Sequence, residues 1–172
     1  MKTSTAQRSL LGSDSCSVSL DHFKEWLQTK SQDVAFAESY YLDCPRHLDF
    51  GGTGDSFCWD CVQKQRWINR HKKDPWTNIR REGWRESDSH SFCGRCYTPL
   101  EHSATEYLIE SEIEHYESNV EPLSATDALL MLNMIDMGAW DDDKHWPPLE
   151  PIAARILSQN STEQQPEPSN DL

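Results

Sequence analysis

Two short stretches of the chain read alike. Ser56-Phe57-Cys58-Trp59-Asp60-Cys61 and Ser91-Phe92-Cys93-Gly94-Arg95-Cys96 share the pattern SFCxxC. Two residues between cysteines let a tight turn aim both sulfurs at one point, and two such turns supply the tetrahedral four-thiolate shell that zinc prefers. Cys58, Cys61, Cys93 and Cys96 are therefore the candidate ligands of one zinc ion. With all four positions taken by sulfur, none remains for a water, so such a metal would hold the fold together and would not activate a nucleophile. Structural zinc contributes on the order of 10 kcal/mol in small modules, comparable with the net stability of a whole domain. Phe57 and Phe92 stand before the two pairs as shields against water, and Gly94 permits the close backbone approach of such a turn. Two redox CxxC motifs are the competing reading, and the surrounding pattern of a thioredoxin is missing.

The paired cysteines resemble the zinc-ribbon and treble-clef class, with 31 residues between the pairs, and the resemblance covers Cys58 to Cys96. Cys44-Pro45-Arg46-His47 has CxxH spacing, so Cys44 and His47 are additional candidate ligands. The alternative is a buried cysteine beside an ordinary histidine, because one pair cannot complete a shell. His71, His90 and His102 lie near enough in sequence to be spare ligands, but none has a partner at fixed spacing. Met1 to Lys30 shows no apolar stretch with a cleavage site, and no run approaches 18 apolar residues, which predicts a soluble, cytoplasmic protein without membrane contact. In a reducing compartment thiolates held by metal are favoured over disulfides.

Catalytic patterns find little support. His71, Asp74, Asn78 and His90 invite comparison with a His-Asn-His nuclease, but His71 sits among Arg70, Lys72 and Lys73 and not beside an acidic residue or a second histidine. Glu112 and His115 form half of a di-iron ExxH pattern without its second half, which places them on a solvated face. Gly51-Gly52-Thr53-Gly54 is followed by no Gly-Lys-Ser/Thr and reads as a turn. The chain is expected not to be an enzyme.

The net charge of -13 is unevenly spread. Residues 64–85 carry eight Lys or Arg against Asp74 and Glu82, a net of +6, whereas residues 101–172 carry sixteen acidic residues against Lys144 and Arg155, a net of -14. In the basic stretch, Arg66, Trp67, Arg70, Lys72, Lys73, Arg80, Arg81 and Trp84 interleave cations with indoles, a composition suited to phosphates and stacked bases. The same cations could instead pair with the chain's own acidic helix. In the acidic stretch, Glu110, Glu114 and Glu117, followed by Asp141, Asp142 and Asp143, form a surface that would repel nucleic acid and attract a basic protein, or imitate nucleic acid towards one. The leading expectation is a non-catalytic zinc-binding interaction protein, of the kind that inhibits a basic nucleic-acid-binding partner. A zinc-ribbon nucleic-acid-binding regulator using residues 64–85 is the alternative, and a nuclease the third.

The elements that must position these residues are expected to form an α+β fold: a small zinc-bound centre over 44–102 flanked by helices. Residues 1–17 read as a flexible arm, 18–157 as one domain with an acidic helical part over 103–157, and 158–172 as a disordered tail. A first helix follows Ser19 or Asp21, with Phe23, Trp26 and Leu27 in one stripe. A second is expected from Asp33 to Leu42, before Pro45. Ala104 to Ser118 reads as a helix with Tyr107, Leu108, Ile113 and Tyr116 inward. Ser124 and Asp127 sit at capping-box spacing and start a helix that stops at Gly138. That helix, 124–137, is apolar nearly all round and must be buried in the core or, alternatively, in a homodimer. Pro151 opens a short helix through Leu157.

Overall fold

The structure is a computed structural model that describes residues 18–43, 56–69, 78–119, 121–140 and 149–162. It is a mixed helix and strand fold with small sheets and a cluster of four cysteines. The elements run α1 (Leu20–Lys30), β1 (Tyr40–Asp43), β2 (Ser56–Phe57), α2 (Trp59–Asn69), β3 (Asn78–Arg81), β4 (Glu86–Ser87), β5 (Ser103–Ala104), α3 (Glu106–Ser118), α4 (Ala125–Met134) with a π turn (Ile135–Ala139), and α5 (Leu149–Thr162).

Four of the helices make one core. Phe23 and Leu27 of α1, Ile109 and Ile113 of α3, Met131 and Met134 of α4, and Ile152 and Ile156 of α5 bury together. Ser19 caps α1 by accepting from the His22 amide at 3.2 Å. The expected capping box opens α4: Ser124 Oγ accepts from the Asp127 amide at 3.1 Å while Asp127 Oδ2 accepts from the Ser124 amide at 3.2 Å. The helix gives way to the π turn and ends where Gly138 adopts φ 104°, a left-handed conformation open to glycine at no steric cost. The apolar surface of 124–137 is thus accounted for by the chain's own core, with Met137 left exposed.

Three expectations are corrected. Residues 33–42 are not a helix: Ser31–Asp33 turn after α1, the chain then runs extended, and Tyr40–Asp43 form the central strand of an antiparallel sheet ordered β2-β1-β3. Tyr40 stands opposite both Phe57 and Arg81, and Tyr41 opposite Ser56 and Arg80. Aromatic side chains suit such a pleated, two-sided neighbourhood, and the partners lie 15 or more residues away, where a local periodicity gives no sign of them. Tyr107 points out at 66% exposure, because the buried stripe of α3 runs through Leu108, Ile109, Ile113 and Tyr116 and leaves position 107 on the far side. The last helix continues beyond Leu157 to Thr162. Residues 1–17, the glycine turn at 51–54 and residues 163–172 lie outside the described residues. None of the described helices is long and apolar enough to cross a membrane.

The metal-centre half and the helical half meet at β4 and β5, which pair in parallel through Glu86 and Ser103 and through Ser87 and Ala104. Thr105, the residue after β5, caps α3 by accepting from the Leu108 amide at 3.3 Å. Removing the other cap, by Ser124→Ala, should cost about 1 kcal/mol and lower the urea midpoint without changing the slope of the transition, read by circular dichroism.

Candidate metal centre

Cys58 follows β2 directly, and Cys61 lies in the first turn of α2. A helix N-terminus carries partial positive charge and bare amides, which favours a thiolate there. Cys93 and Cys96 bracket a turn tied by Cys93 N–H to the Thr98 carbonyl at 2.9 Å and by Tyr97 N–H to the Cys93 carbonyl at 3.0 Å. The two knuckles are joined by Gly94 N–H to the Ser56 carbonyl at 3.0 Å. The sulfurs come within 3.5–3.8 Å of one another. Tetrahedral thiolates at about 2.3 Å from a metal stand about 3.8 Å apart, whereas a disulfide requires about 2.05 Å, so the spacing fits a shared ion and not a bridge. Among the described residues these four are the one group of three or more such side chains whose donor atoms converge.

The environment of each sulfur differs. Cys58, Cys61 and Cys93 are buried and Cys96 is exposed. Burial pushes the Cys58 and Cys61 thiols up, with neighbouring thiols adding to the effect at Cys61. Cys96 is lowered to about 6 by hydrogen bonds from the Thr98 hydroxyl and backbone. Four sulfurs so close cannot all be thiolates without a cation among them, and that cation would gain all four charges at once.

Around the cluster, Leu100 is buried and Ala37 and Phe57 pack against it, so Phe57 does stand as a shield, whereas Phe92 is more exposed and pairs its backbone with Pro99. Glu82, which no spacing singled out, braces the centre from the sheet. Its buried carboxylate accepts from the hydroxyls of Ser39 and Ser56 and is paired with Arg85 at 3.0 Å. These partners lie 43, 26 and 3 residues away, and only the last is a pattern readable along the chain.

The remaining candidates scatter. Cys44 and His47, Arg70, Lys72 and Lys73, Asp141, Asp142 and Asp143, and the nuclease candidates His71 and Asp74 lie outside the described residues. Arg66 and Trp67 fall on α2, their side chains outside the described part. Arg80 and Arg81 are exposed on β3, Arg80 over the Tyr41 ring and Arg81 paired with Glu38 at 3.0 Å and Glu101 at 3.4 Å. Trp84 is 54% exposed, its indole edge-on to Phe36. Arg81 therefore pairs with carboxylates of its own half of the molecule. Glu110, Glu114 and Glu117 lie exposed on α3, spaced four and three residues apart and hence along one stripe. The expected solvated ExxH pair is corrected: Glu112 turns inward to His90, 3.6 Å from its Nε2, while His115 stays exposed beside Asn119. His90 and His102 are partners of each other, with Nδ1 and Nε2 3.0 Å apart.

Compared with protein families, with curated proteins and with solved structures, the chain matches none.

Tyr97 is the one described residue other than glycine with positive φ, at 60°, and it is 77% exposed. Left-handed backbone costs a side-chain-bearing residue roughly 1–2 kcal/mol, partly offset by the entropy a glycine would lose. Tyr97→Gly should therefore stabilise the centre by about 0.5–1 kcal/mol in chemical unfolding of the metal-loaded protein. Zinc added to the metal-free protein at about pH 7 should saturate at one equivalent and release at least two protons, from the raised thiols of Cys58 and Cys61. Cys96, lowered to about 6, is mostly ionised already at that pH. Affinity should accordingly fall as pH falls, measured by competition with a chromophoric chelator.

Proposed function

We propose that the chain is a non-catalytic, zinc-stabilised interaction protein of the cytoplasm, whose acidic helix face docks a basic protein. Zinc suits the four-thiolate set by geometry and by softness, and a centre of zinc-ribbon or treble-clef type would make it a scaffold. A shell closed by four sulfurs leaves no coordination site for substrate, which supports a structural role for the metal.

The observation that carries the reading is a difference between two charged surfaces. Glu110, Glu114 and Glu117 form no ion pair among the described residues, the nearest cation being Arg155, which donates to the Glu117 carbonyl at 2.7 Å, so the stripe faces solvent along about 10 Å of α3. Arg81 and Arg85 are engaged by Glu38, Glu82 and Glu101, which weakens the basic segment as a phosphate binder. A row of carboxylates on a rigid helix is the charge pattern that an inhibitor would present to the nucleic-acid-binding cleft of a basic partner. The exposed Trp84 and Arg80 favour a second reading, in which residues 64–85 bind nucleic acid.

The readings separate by charge reversal. Glu110→Lys, Glu114→Lys and Glu117→Lys combined should abolish capture of a nuclease-resistant partner from native lysate, while Arg80→Glu with Arg81→Glu should leave it intact. Single-stranded DNA and RNA should not be retained at low salt. Retention lost on reversing Arg80 and Arg81, and steeply weakened by salt, would establish the nucleic-acid reading instead.

A further inference from the structure

A polar cluster lies where the cysteine-bearing half meets the helices, and its hydrogens can be assigned in order. His102 is buried, with Nδ1 3.0 Å from the Leu100 carbonyl oxygen. A carbonyl only accepts, so Nδ1 carries the hydrogen and Nε2 of the neutral ring is a lone pair. His90 Nδ1 lies 3.0 Å from that Nε2 and must donate to it. Asn133 of α4 supports the same arrangement, its amide nitrogen 3.4 Å from His102 Nε2 and donating to the His102 carbonyl at 3.2 Å. The sequence of donors ends at His90 Nε2. In the neutral ring this atom is a second lone pair, buried and without a hydrogen-bond partner. It faces Glu112 Oε2 of α3 at 3.6 Å, with the two side chains 8% and 22% exposed. Two acceptors therefore confront each other in a largely dry place, an arrangement that costs free energy until something positive enters.

We propose that His90, His102 and Glu112 form a proton-operated latch: one proton taken up at His90 Nε2 closes a charge-assisted bond to Glu112 and ties the metal-centre half to α3. The proton adds at His90 Nε2 and no covalent bond between heavy atoms is made or broken. His102 cannot take it instead, because an N–H on its Nε2 would confront the N–H of His90, and burial already favours its neutral form. A metal ion is the poorer occupant, since no third donor converges there among the described residues. The other titratable groups nearby are engaged. Tyr116 of α3 is kept protonated by burial and by the charges of Glu112 and Asp127. Glu101, beside His102, is paired with Arg81, and Asp88, which follows β4, accepts from the hydroxyl of Thr105, the cap of α3.

The bond exists only in the folded chain and only with the proton present. Mild acidification thus stiffens the joint between the metal centre and the helix that bears the acidic stripe.

The test is thermal unfolding of the full metal-loaded chain, wild type against Glu112→Gln, at about pH 8 and about pH 6. At the higher pH the glutamine amide can donate to the His90 lone pair, so the variant should unfold at or above the wild-type temperature. At the lower pH it should unfold about 2–4 °C below wild type. That reversal of sign is the signature, since a carboxylate serving packing alone gives one difference at both pH values. An unchanged difference would overturn the latch, as would a second equivalent of zinc bound by the wild type and lost in Glu112→Gln.

Discussion

Thiols within 4 Å of one another present a choice between protons and a cation, and the rest of the metal-centre half is arranged around that choice. Cys58, Cys61 and Cys93 are withdrawn from water, where a thiolate without a counter-charge is costly, and Cys96 alone faces solvent. The backbone holds the sulfurs in register before any ion is considered: Gly94 is bonded to Ser56, Cys93 to Thr98, and Glu82 pins Ser39 and Ser56 together. Little apolar surface is available here, since the cluster is closed by Leu100, Ala37 and Phe57. A centre with so small a core depends on what its sulfurs hold far more than the helical half does, which buries residues from four helices.

The two halves also differ in how legible they are in the amino-acid sequence. The cysteine set follows from spacing alone, because a CxxC turn is a local geometry repeated once. The caps at Ser19 and Ser124 and the stop at Gly138 are likewise local, each a side chain or a backbone angle acting within a turn of itself. What escapes a linear reading is whatever depends on partners far along the chain. Tyr40 and Tyr41 lie about one helical turn after Phe36 but become the centre of a sheet, because their partners at 56–57 and 80–81 offer pairing on both edges. Glu112 looks like one more solvent-facing glutamate of an acidic helix, and only the approach of His90, 22 positions earlier, draws it inward.

Charge is distributed by the same logic. Cations gathered between the cysteine pairs suggest a polyanion site when counted along the chain, yet in three dimensions Arg81 and Arg85 meet glutamates drawn from 38, 82 and 101. Because α3 buries Leu108, Ile109, Ile113 and Tyr116 on one side, Glu110, Glu114 and Glu117 are held in a fixed orientation on the opposite side.

The first helix has a partner far along the chain: Lys24 of α1 bonds Asp136, 112 residues later, at 2.8 Å, and Phe23 packs on Trp140. A ribosome adding about 5–20 residues per second exposes Phe23 and Leu27 several seconds before α4 exists to receive them. The cysteine-bearing middle, whose closures span at most 38 residues between sulfurs, can be complete in that interval. The nascent chain thus passes through a stage with its cysteine-bearing middle free to fold and its leading helix apolar and unmatched, the stage at which a chaperone has most to protect.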